Sequence, residues 1–521
     1  MRRNHQFHFL CFVWLCALVC LAVVPSYGQR QLFTIKVMDM MKDEPVAYAN
    51  VLIEGLKSGD KKYFVTSVEG TFQGEIKEIS KISISCVGYE ALYDTINPGQ
   101  RYTIRMKPTV FNMNEVVVTA QYSPERADKS IYKVEVINAK QIEQKAANTM
   151  ADLLRDQVNM SVSQAGVLGT NLSMQGLSGE NVKFLVDGVP MIGRMQGNID
   201  LNQISLSNVD HVEVIEGPMS VIYGSNALAG VVNIISKENK SSLLKGYANG
   251  YYETAGVYNF DGGVSAKLNQ HGISFDGGRN FFTGYSIPGV DTGRAQTFKP
   301  RRQYFFDGYY TYLQKIFRIK LAGQYFNELL LDEGNLLPPY YEMAFDSYFT
   351  TIRYTGRMEA TLNLPRSHYF TVIGAYSYYS RVKEKYFKNL TTMNEVLTTN
   401  PEDQDTTGIT SWLAKGTYSK NNPEKKLNYQ AGFDVNIEGG EGKRILNYSQ
   451  QIGDYALFGS LKWNLGRHIS IQPGIRLIYN TKYTAPVVYA LSGKWSLNDN
   501  IAVRLSYSKG FRAPSIKELY L

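Results

Sequence analysis

NVDHVEVIEGPMSVIYGSNALAGVVNIISK, residues 208–237, is the stretch on which the rest of the chain depends. It begins with VDHVEVI, in which valines and polar residues alternate as in a half-buried strand. Gly217 and Pro218 end that strand, because glycine adopts turn dihedrals and proline cannot donate to a sheet ladder. A short helical turn at 220–223, a run of small residues and an apolar strand at 231–235 follow. The stretch predicts a strand–turn–strand piece of a small mixed α/β domain.

The same stretch closely resembles the plug signature of TonB-dependent outer-membrane receptors, in which a VEVI-x-GP-x-S-x-x-YGS-x-A-x-x-GVVNII run recurs. The alternation pattern by itself also allows an ordinary soluble domain. A second segment, NVKFLVDGVPM at 181–191, matches the family run V-x-x-L-x-DG-x-P and contains an Asp-Gly pair typical of tight turns. The resemblance implies a plug domain over residues 125–240. Its motif positions are Asp187, Gly188, Pro190, Gly217, Pro218, Tyr223, Gly224, Gly230 and Asn233.

Two positions depart from the family pattern. Many members carry arginine, facing acidic residues of the barrel wall, where this chain has Gln175 and Glu216. The departure bears on the ion pairs between plug and wall and leaves the predicted fold unchanged. Asp187 is interpreted as a turn aspartate, because no base, nucleophile or metal partner lies at useful spacing from it. In the same domain Asn148 is expected to cap a helix at 149–155.

The N-terminal segment has the pattern of an exported protein. A pair of arginines precedes an apolar run at 9–24, and the SYG that follows offers a small-x-small cleavage site. The pattern predicts a signal peptide over residues 1–28; a membrane anchor is the alternative, although the run is short for a bilayer. Three of the four cysteines lie in this segment, so the mature chain keeps Cys86 and forms no internal disulfide.

Residues 32–108 predict a separate all-β domain. Short strands recur with glycine or proline between them, which favours a seven-stranded β-sandwich. The segments TSVEGTF at 66–72 and CVGYE at 86–90 resemble the carboxypeptidase-regulatory-like domain of Bacteroidetes-type receptors. No H-E-x-x-H or related zinc-ligand spacing occurs, so a periplasmic spacer or interaction module is expected rather than a peptidase.

NEVVVTA at 114–120 is the next informative stretch. Three consecutive valines favour an extended conformation, and an edge strand of the preceding domain is one interpretation. The family resemblance implies instead a TonB box, which pairs as an added strand with the inner-membrane energy-transducing protein TonB. The residues assigned to this coupling are Glu115, Val116, Val117, Val118 and Thr119.

From residue 246 onward the chain alternates apolar and polar residues over long runs. Phe317, Ile319 and Leu321 face one way, while Arg318 and Lys320 face the other. Such dyads predict an antiparallel transmembrane β-barrel over 246–521 in outer-membrane lipid, and KGFRAPSIKELY at 509–520 resembles a receptor barrel motif. A plugged barrel needs about 22 strands, whereas alternation supports only about a dozen. The expectation is a truncated receptor whose sheet stays open, with an unpaired edge at 501–511.

The fold class is therefore mainly β, and the expected function is active import of a scarce nutrient across the outer membrane. The phosphate-loop, G-x-S-x-G and EF-hand motifs do not occur, so neither an enzyme nor a cofactor is expected. The absence of a basic patch with interleaved aromatics argues against nucleic acid as a partner. The sequence of the plug motif favours a small-molecule ligand such as an iron chelate, haem or cobalamin. A glycan importer and a non-transporting surface receptor or adhesin are the alternatives.

Ligand contacts in the family come from plug apices and outer loops. These correspond to residues 164–170 and 191–196, and to loops near 286–302, 327–347 and 382–407. Candidate ligand-binding residues are Met191, Arg194, Gln196, Tyr340 and Tyr341. The two tyrosines equally fit an interfacial aromatic girdle. No metal ligands are expected.

Overall fold

The structure is a computed structural model that describes residues 32–520, apart from 42, 87–88, 108–115, 118–121, 123–124, 165–168, 195–196, 240–242, 290–292, 423–424, 467 and 499–500. The predicted signal peptide therefore lies outside the described residues. The chain divides into two compact units, residues 1–114 and residues 115–521. Strands dominate both units. None of the helices among the described residues has the length and apolar character required to cross a membrane.

Seven strands in two sheets form the N-terminal unit. They are β1 (Leu32–Asp39), β2 (Asn50–Gly55), β3 (Lys61–Val65), β4 (Thr71–Glu75), β5 (Ser80–Ser85), β6 (Leu92–Ile96) and β7 (Arg101–Met106). The sheets have the orders β4-β1-β7 and β3-β2-β5-β6. Alternate side chains of each strand point to one face. Phe33 and Ile35 of β1 therefore share a buried core with Val51 and Ile53 of β2, which gives the predicted sandwich.

The second unit begins with a short hairpin. β8 (Val116–Val117) pairs antiparallel with β9 (Glu125–Arg126). The predicted TonB box is thus extended at its two described residues, whereas Glu115, Val118 and Thr119 lie outside the described residues. Val117 is completely buried.

The predicted plug domain follows as a small α/β fold. Its elements are β10 (Val134–Asn138), α1 (Ala139–Gln144), α2 (Met150–Leu154), β11 (Met160–Gln164), β12 (Thr170–Met174), β13 (Leu177–Ser178), β14 (Val182–Val186), β15 (Val189–Pro190), β16 (Val209–Glu216), α3 (Ser220–Tyr223) and β17 (Gly230–Ser236). Single 3-10 turns occur at Ala127–Lys129, Gly179–Asn181 and Leu201–Gln203. The main sheet has the order β10-β16-β17-β14-β15, and β11, β12 and β13 form a second sheet.

The stretch 208–237 forms the centre of the main sheet, as β16, α3 and β17. Gly230 shows why small residues are needed there. Its φ is +154°, and a Cβ at this position would lie 2.2 Å from the Ile215 carbonyl oxygen and 2.7 Å from Met174 Sδ. Only glycine therefore allows β17 to leave the turn this close to β16.

The predicted helix at 149–155 is observed as α2, but its N-cap is Thr149 and not Asn148. The Thr149 hydroxyl accepts from Asp152 N at 3.3 Å, and the Asp152 carboxylate accepts from Thr149 N at 3.1 Å. This reciprocal capping box satisfies two amides, which outweighs the single bond that Asn148 offers. The Asn148 amide instead donates to the Ala146 carbonyl.

The remaining strands form one antiparallel sheet, here called the wall. They are β18 (Leu244–Glu253), β19 (Val257–Leu268), β20 (His271–Phe282), β21 (Arg301–Leu313), β22 (Phe317–Glu333), β23 (Met343–Leu364), β24 (His368–Asn389), β25 (Glu395–Leu397), β26 (Asp405–Lys420), β27 (Leu427–Gly442), β28 (Ser449–Leu465), β29 (Ile469–Asn480), β30 (Val488–Ser496) and β31 (Ala502–Ser508). Successive strands pair, except that β25 pairs β24 at the side. Lys320 is buried and Leu321 is exposed, as the dyads predict.

Two predicted loops are largely strand. β22 continues to Glu333 and β23 begins at Met343, so the loop expected at 327–347 shrinks to 334–342. The loop expected at 382–407 shrinks in the same way, to 390–404. Aromatic pairs stabilise these strand extensions across the hairpin, with Phe345 and Phe387 ring centroids 5.2 Å apart.

The wall is open, as predicted. Within the described residues β18 pairs only with β19, and β31 pairs only with β30. The predicted edge at 501–511 is too long, because β31 ends at Ser508 and the last main-chain bond to β30 is donated by Lys509 N to the Tyr489 carbonyl at 2.9 Å. Residues 509–515 then approach the plug domain, where the Phe511 carbonyl accepts from Asn226 N at 3.3 Å, and α4 (Ile516–Tyr520) follows.

The N-terminal core yields a first prediction. Phe33→Ala should lower the free energy of unfolding of the isolated 32–108 segment by about 3–5 kcal/mol, because it leaves a cavity in a closed core. Phe33 packs edge-on against Phe64 and Phe72, with ring centroids 6.3 and 5.8 Å away. Urea unfolding followed by circular dichroism measures the change. Tyr63→Ala is the control, since that ring is 75% exposed, and it should change the free energy by less than about 0.5 kcal/mol. A disordered spectrum for the unsubstituted segment would contradict the prediction.

Candidate ligand-binding site

A cavity of about 1040 Å³ lies between the plug domain and one end of the wall. At this end the strands are joined by the longer connections, such as 283–300 and 390–404, whereas turns such as 365–367 close the other end. The plug contributes Met191, Ile192, Gly193, Arg194 and Asn226 to the lining. The wall, its connections and the segment after β31 contribute Lys383, Asp405, Arg444, Tyr483 and Arg512. The volume is that of a small-molecule site.

The predicted ligand residues divide into two groups. Met191 and Arg194 line the cavity, and Gln196 lies outside the described residues. Tyr340 and Tyr341 lie in the 334–342 connection, where they are exposed and are not among the cavity-lining residues. No group of three or more His, Cys, Asp or Glu side chains in the described part of the chain is placed to hold a metal ion.

Arg194 links Gly197 to the plug residues around it. Its guanidinium donates to the carbonyl oxygens of Val182 at 2.7 Å, Gly197 at 2.9 Å and Gly179 at 3.1 Å. Burial lowers the pKa of Arg194, and the nearby carboxylates of Glu180 and Glu438 oppose that effect. A side chain with this many backbone partners shapes the cavity wall and has little donor capacity left for a ligand.

Lysine side chains that line the cavity lie at the carbonyl end of α3. Lys183 Nζ donates to the Tyr223 carbonyl at 2.5 Å, and Lys415 Nζ donates to the Ile222 carbonyl at 3.1 Å. These contacts place the motif positions Tyr223 and Gly224 in the cavity floor. Burial lowers the pKa of Lys183 to about 8, although the Asp434 carboxylate opposes the change. A Cβ on Gly224, whose φ is +78°, would lie 3.0 Å from a guanidinium nitrogen of Arg476.

Asp187 joins the plug domain to the wall. It accepts from Ser236 N at 2.9 Å and from the Ser236 hydroxyl at 2.5 Å, and it forms ion pairs with Arg357 and, at 3.4 Å, Lys320. Its φ of +45° fits the tight β14–β15 turn that the Asp-Gly pair predicted. Burial raises the pKa of Asp187, but Arg357, Lys320 and the hydrogen bonds from Ser236 together lower it by more, to about 2. The interpretation as a turn aspartate is therefore incomplete, because the carboxylate also anchors the plug.

The other motif positions support this turn. The Gly188 amide donates to the Asn233 side chain at 3.1 Å, and Pro190 lies in β15, paired with Leu185. Gly217 and Pro218 follow β16 at the turn that the sequence predicted. These positions shape the plug and, unlike Asp187, make no ion pair with the wall.

The two departures from the family pattern make contacts inside the plug. The Gln175 amide donates to Glu216 at 3.1 Å, and Lys133 pairs with Glu216 at 2.6 Å. Neither reaches the wall through an ion pair among the described residues. The wall cations that bind Asp187 come from residues far along the chain. No local sequence signal marks them as its partners.

Ion pairs between the plug domain and the rest of its unit have one polarity among the described residues. The carboxylate always belongs to the plug and the cation to the later part of the chain. Besides Asp187, the pairs are Glu238 with Arg318 and Lys320, Glu125 with Lys462, and Glu180 with Arg512. The plug is thus held by carboxylates at positions other than the two, 175 and 216, where the family pattern places arginines.

The predicted TonB box lies beside the short-turn end of the wall. Between β8 and β9, the Tyr122 hydroxyl bonds Ser460 at 2.8 Å, and the Ser419 hydroxyl donates to the Tyr122 carbonyl at 2.6 Å. Glu125 of β9 pairs with Lys462 at 3.0 Å. The hairpin that contains Val116 and Val117 is therefore attached to the wall through its second strand.

Comparison with known proteins agrees with this arrangement. Residues 126–231 match the family model described as TonB-dependent Receptor Plug Domain. Residues 240–521 match the model described as TonB dependent receptor-like, beta-barrel. The second match alone covers more than half of the chain.

Similar curated proteins are vitamin B12 transporters named BtuB. The one from Vibrio cholerae serotype O1 is 31% identical over 193 residues, which is 35% of this chain and 31% of the relative. The one from Vibrio vulnificus is 25% identical over 415 residues, which is 78% of this chain and 64% of the relative. The chain thus spans less than two thirds of the length of either relative.

Solved structures share the fold. The FpvAI–pyocin S2 complex contains a chain with a TM-score of 0.62 and 13% identity, covering 83% of this chain and 64% of the other. The siderophore receptor PirA from Acinetobacter baumannii has a TM-score of 0.61 and 16% identity, covering 77% and 63%.

The anchor at Asp187 yields a second prediction. Asp187→Asn should destabilise the seated plug by about 3–5 kcal/mol, because it leaves Arg357 buried without a counter-charge and Lys320 with Glu238 alone. The urea midpoint of plug release, followed by limited proteolysis of the detergent-solubilised chain, measures the effect. Glu143→Gln is the control, since Glu143 is an exposed carboxylate on α1. Equal midpoints for the two variants would refute the anchor.

A third prediction concerns pH. The imidazole of His211 lies between two carboxylates. Its Nδ1 is 2.7 Å from Asp210 Oδ2, and its Nε2 is 3.1 Å from Oε1 of the buried Glu213. Burial lowers its pKa, but the two carboxylates raise it by more, to about 9 from an ordinary value of 6.5. Because the folded-state pKa is the higher one, this contribution to stability is complete below pH 6.5 and is lost as the pH rises through about 9.

His211→Gln should therefore flatten the decline in thermal stability of the chain between about pH 6.5 and 9. The exposed His271→Gln is the control and should leave the decline unchanged. The same pH profile in both variants would contradict the assignment.

Proposed function

Because the chain belongs to the TonB-dependent receptor family, we propose that it is an outer-membrane transporter that imports a scarce nutrient with energy relayed by TonB. The observation that carries the proposal is the cavity of about 1040 Å³ above the plug, at the end of the wall with the longer connections. A ligand entering there meets plug residues 191–194 before it meets any path through the wall. The N-terminal unit is then periplasmic.

The ligand class follows from the relatives and from the cavity. The curated relatives are named as vitamin B12 transporters, and one of the similar solved structures is titled as a siderophore receptor. The cavity lining mixes cations, carboxylates and apolar residues, which suits a polar chelate. We therefore place an iron chelate, haem or cobalamin first among the ligands, ahead of a glycan.

Coupling is proposed to act through β8. TonB would pair with residues 115–119 as an added strand, in which main-chain hydrogen bonds provide most of the affinity. A pulling force on this strand would separate β8 from β9. The force would then act on the contacts that Tyr122 and Glu125 make with the wall. The force would reach the plug through the segment that leads into β10.

A direct test uses a strain that lacks the gene for this chain, complemented with variants. Uptake of cobalamin, haem, a ferric chelate and an oligosaccharide is measured, with surface binding of each recorded in parallel. The complemented strain should take up one of the first three classes. Uptake of the oligosaccharide alone would overturn the proposed ligand class.

Val117→Pro gives the fourth prediction. Proline removes the main-chain donor of β8, so uptake should be lost while ligand affinity and protein level stay unchanged. Val117→Ala keeps that donor and serves as the matched control, with uptake largely retained. Normal uptake by the proline variant would remove the coupling role of this segment. Binding without uptake in the unsubstituted chain would favour a non-transporting receptor.

A further inference from the structure

Cationic side chains recur on the inward face of β22, β23 and β24. Inward positions are the even-numbered residues of β22 and the odd-numbered residues of β23 and β24, because side chains alternate along a strand. The cations at these positions are Arg318, Lys320, Arg353, Arg357, Arg381, Lys383 and Lys385. The carboxylates that share this face are Glu328, Asp332 and Glu359. We call this set of cations the cationic track.

The register places these cations at successive levels of the wall. On β23, Phe349 is opposite Lys383 and Thr351 is opposite Arg381. Arg353 and Arg357 follow on β23 itself. Glu359 and Thr361 are then opposite Lys320 and Arg318. From residue 349 to 361 the strand advances about 40 Å at about 3.3 Å per residue. The cationic track therefore extends over the height of a membrane.

Two cavities among the described residues lie along the cationic track. Arg381 and Lys383 line the cavity of about 1040 Å³. Arg353 lines a second cavity of about 100 Å³ between plug and wall, together with Gln203 of the plug and Thr355 of β23. The track thus begins in the proposed ligand site, passes beside the plug and ends near the short-turn end of the wall.

Arginines on the cationic track retain unused donors. Arg353 Nε, Arg357 Nη1 and Arg381 Nη1 are buried and have no hydrogen-bond partner. The plug satisfies these side chains only in part, since Asp187 pairs with Arg357 and the Gln203 amide oxygen accepts from Arg353 at 3.1 Å. Buried unpaired donors are costly. An oxyanion that met these guanidinium groups would find donors in the fork geometry that carboxylate and phosphate groups bind best.

The charge on the inward face changes sign on the strands that precede β22. On the neighbouring strands β20 and β21, Asp276 and Asp307 face each other directly across the pair. The wall lumen therefore carries a cationic strip beside an acidic one. A passage along β22–β24 favours negative charge, whereas a passage along β20–β21 disfavours it.

We propose that the cationic track binds an oxyanion group of the ligand, a carboxylate or phosphate, and guides it from the outer cavity past the plug. Asp187 and Gln203 occupy the track while the plug is seated. When Asp187 and Gln203 move with the plug, the oxyanion of the ligand replaces them on Arg353 and Arg357. This inference rests on the proposed import function and narrows its substrate to an anionic ligand.

Thiol modification tests the cationic track in the full chain. Thr355→Cys, in a Cys86→Ser background, places one reporter between the levels of Arg353 and Arg357. Two methanethiosulfonates of similar size are used, one carrying a sulfonate and one a trimethylammonium group. For each reagent the rate of thiol modification is measured, and the rate with the anionic reagent is divided by the rate with the cationic one. This ratio should be about tenfold higher for Thr355→Cys than for a free thiol in solution, because the local potential concentrates the anion. Ser265→Cys, on β19 beside the acidic strip, should give a ratio below the reference.

Substitution of the arginines completes the test. Arg353→Gln with Arg357→Gln should return the Thr355→Cys ratio to the free-thiol value, whereas Arg353→Lys with Arg357→Lys should keep it raised. A ratio at the reference value, or one unchanged by the glutamines, would overturn the cationic track. The modification needs no energy coupling. A failed uptake experiment with a raised ratio therefore overturns the proposed function alone.

Discussion

The buried contact of Asp187 with Arg357 and Lys320 is the constraint on which this architecture depends. A carboxylate on a two-residue turn is held by cations of two different wall strands, and Ser236 orients it from β17. Removing charges from water is expensive, so such a contact persists only with near-complete pairing. Because the turn belongs to the main plug sheet, fixing this one carboxylate fixes the position of that sheet against β22 and β23.

Local patterning accounts for most of the fold. The apolar alternation of 208–237 predicted β16, α3 and β17, and the dyads of the later chain predicted wall strands with Lys320 inward and Leu321 outward. These features depend on residues close together in sequence, so one strand suffices to reveal them. For the same reason the last wall strand was predictable only as far as Ser508. Beyond that residue, contacts with the plug determine the course of the chain.

Long-range pairing accounts for what the sequence did not reveal. Asp187 looked like a turn residue because its partners lie more than a hundred positions away, on strands whose register had to be known first. The strand extensions of β22–β24 were missed because cross-strand aromatic contacts, and not local composition, stabilise them. The site showed the same limit, since Met191 and Arg194 reach the cavity while Tyr340 and Tyr341 lie in an exposed connection.

The single polarity of the plug–wall ion pairs has an evolutionary consequence. If a plug acid becomes a base, it meets the cations of the wall, and like charges at such short distances repel each other. A reversal on one side is therefore tolerated only with a compensating reversal on the other. Plug and wall of this chain must consequently be inherited as a matched pair. A plug taken from a relative with arginines at these anchoring positions would not seat in this wall, because its arginines would face the cations of the wall.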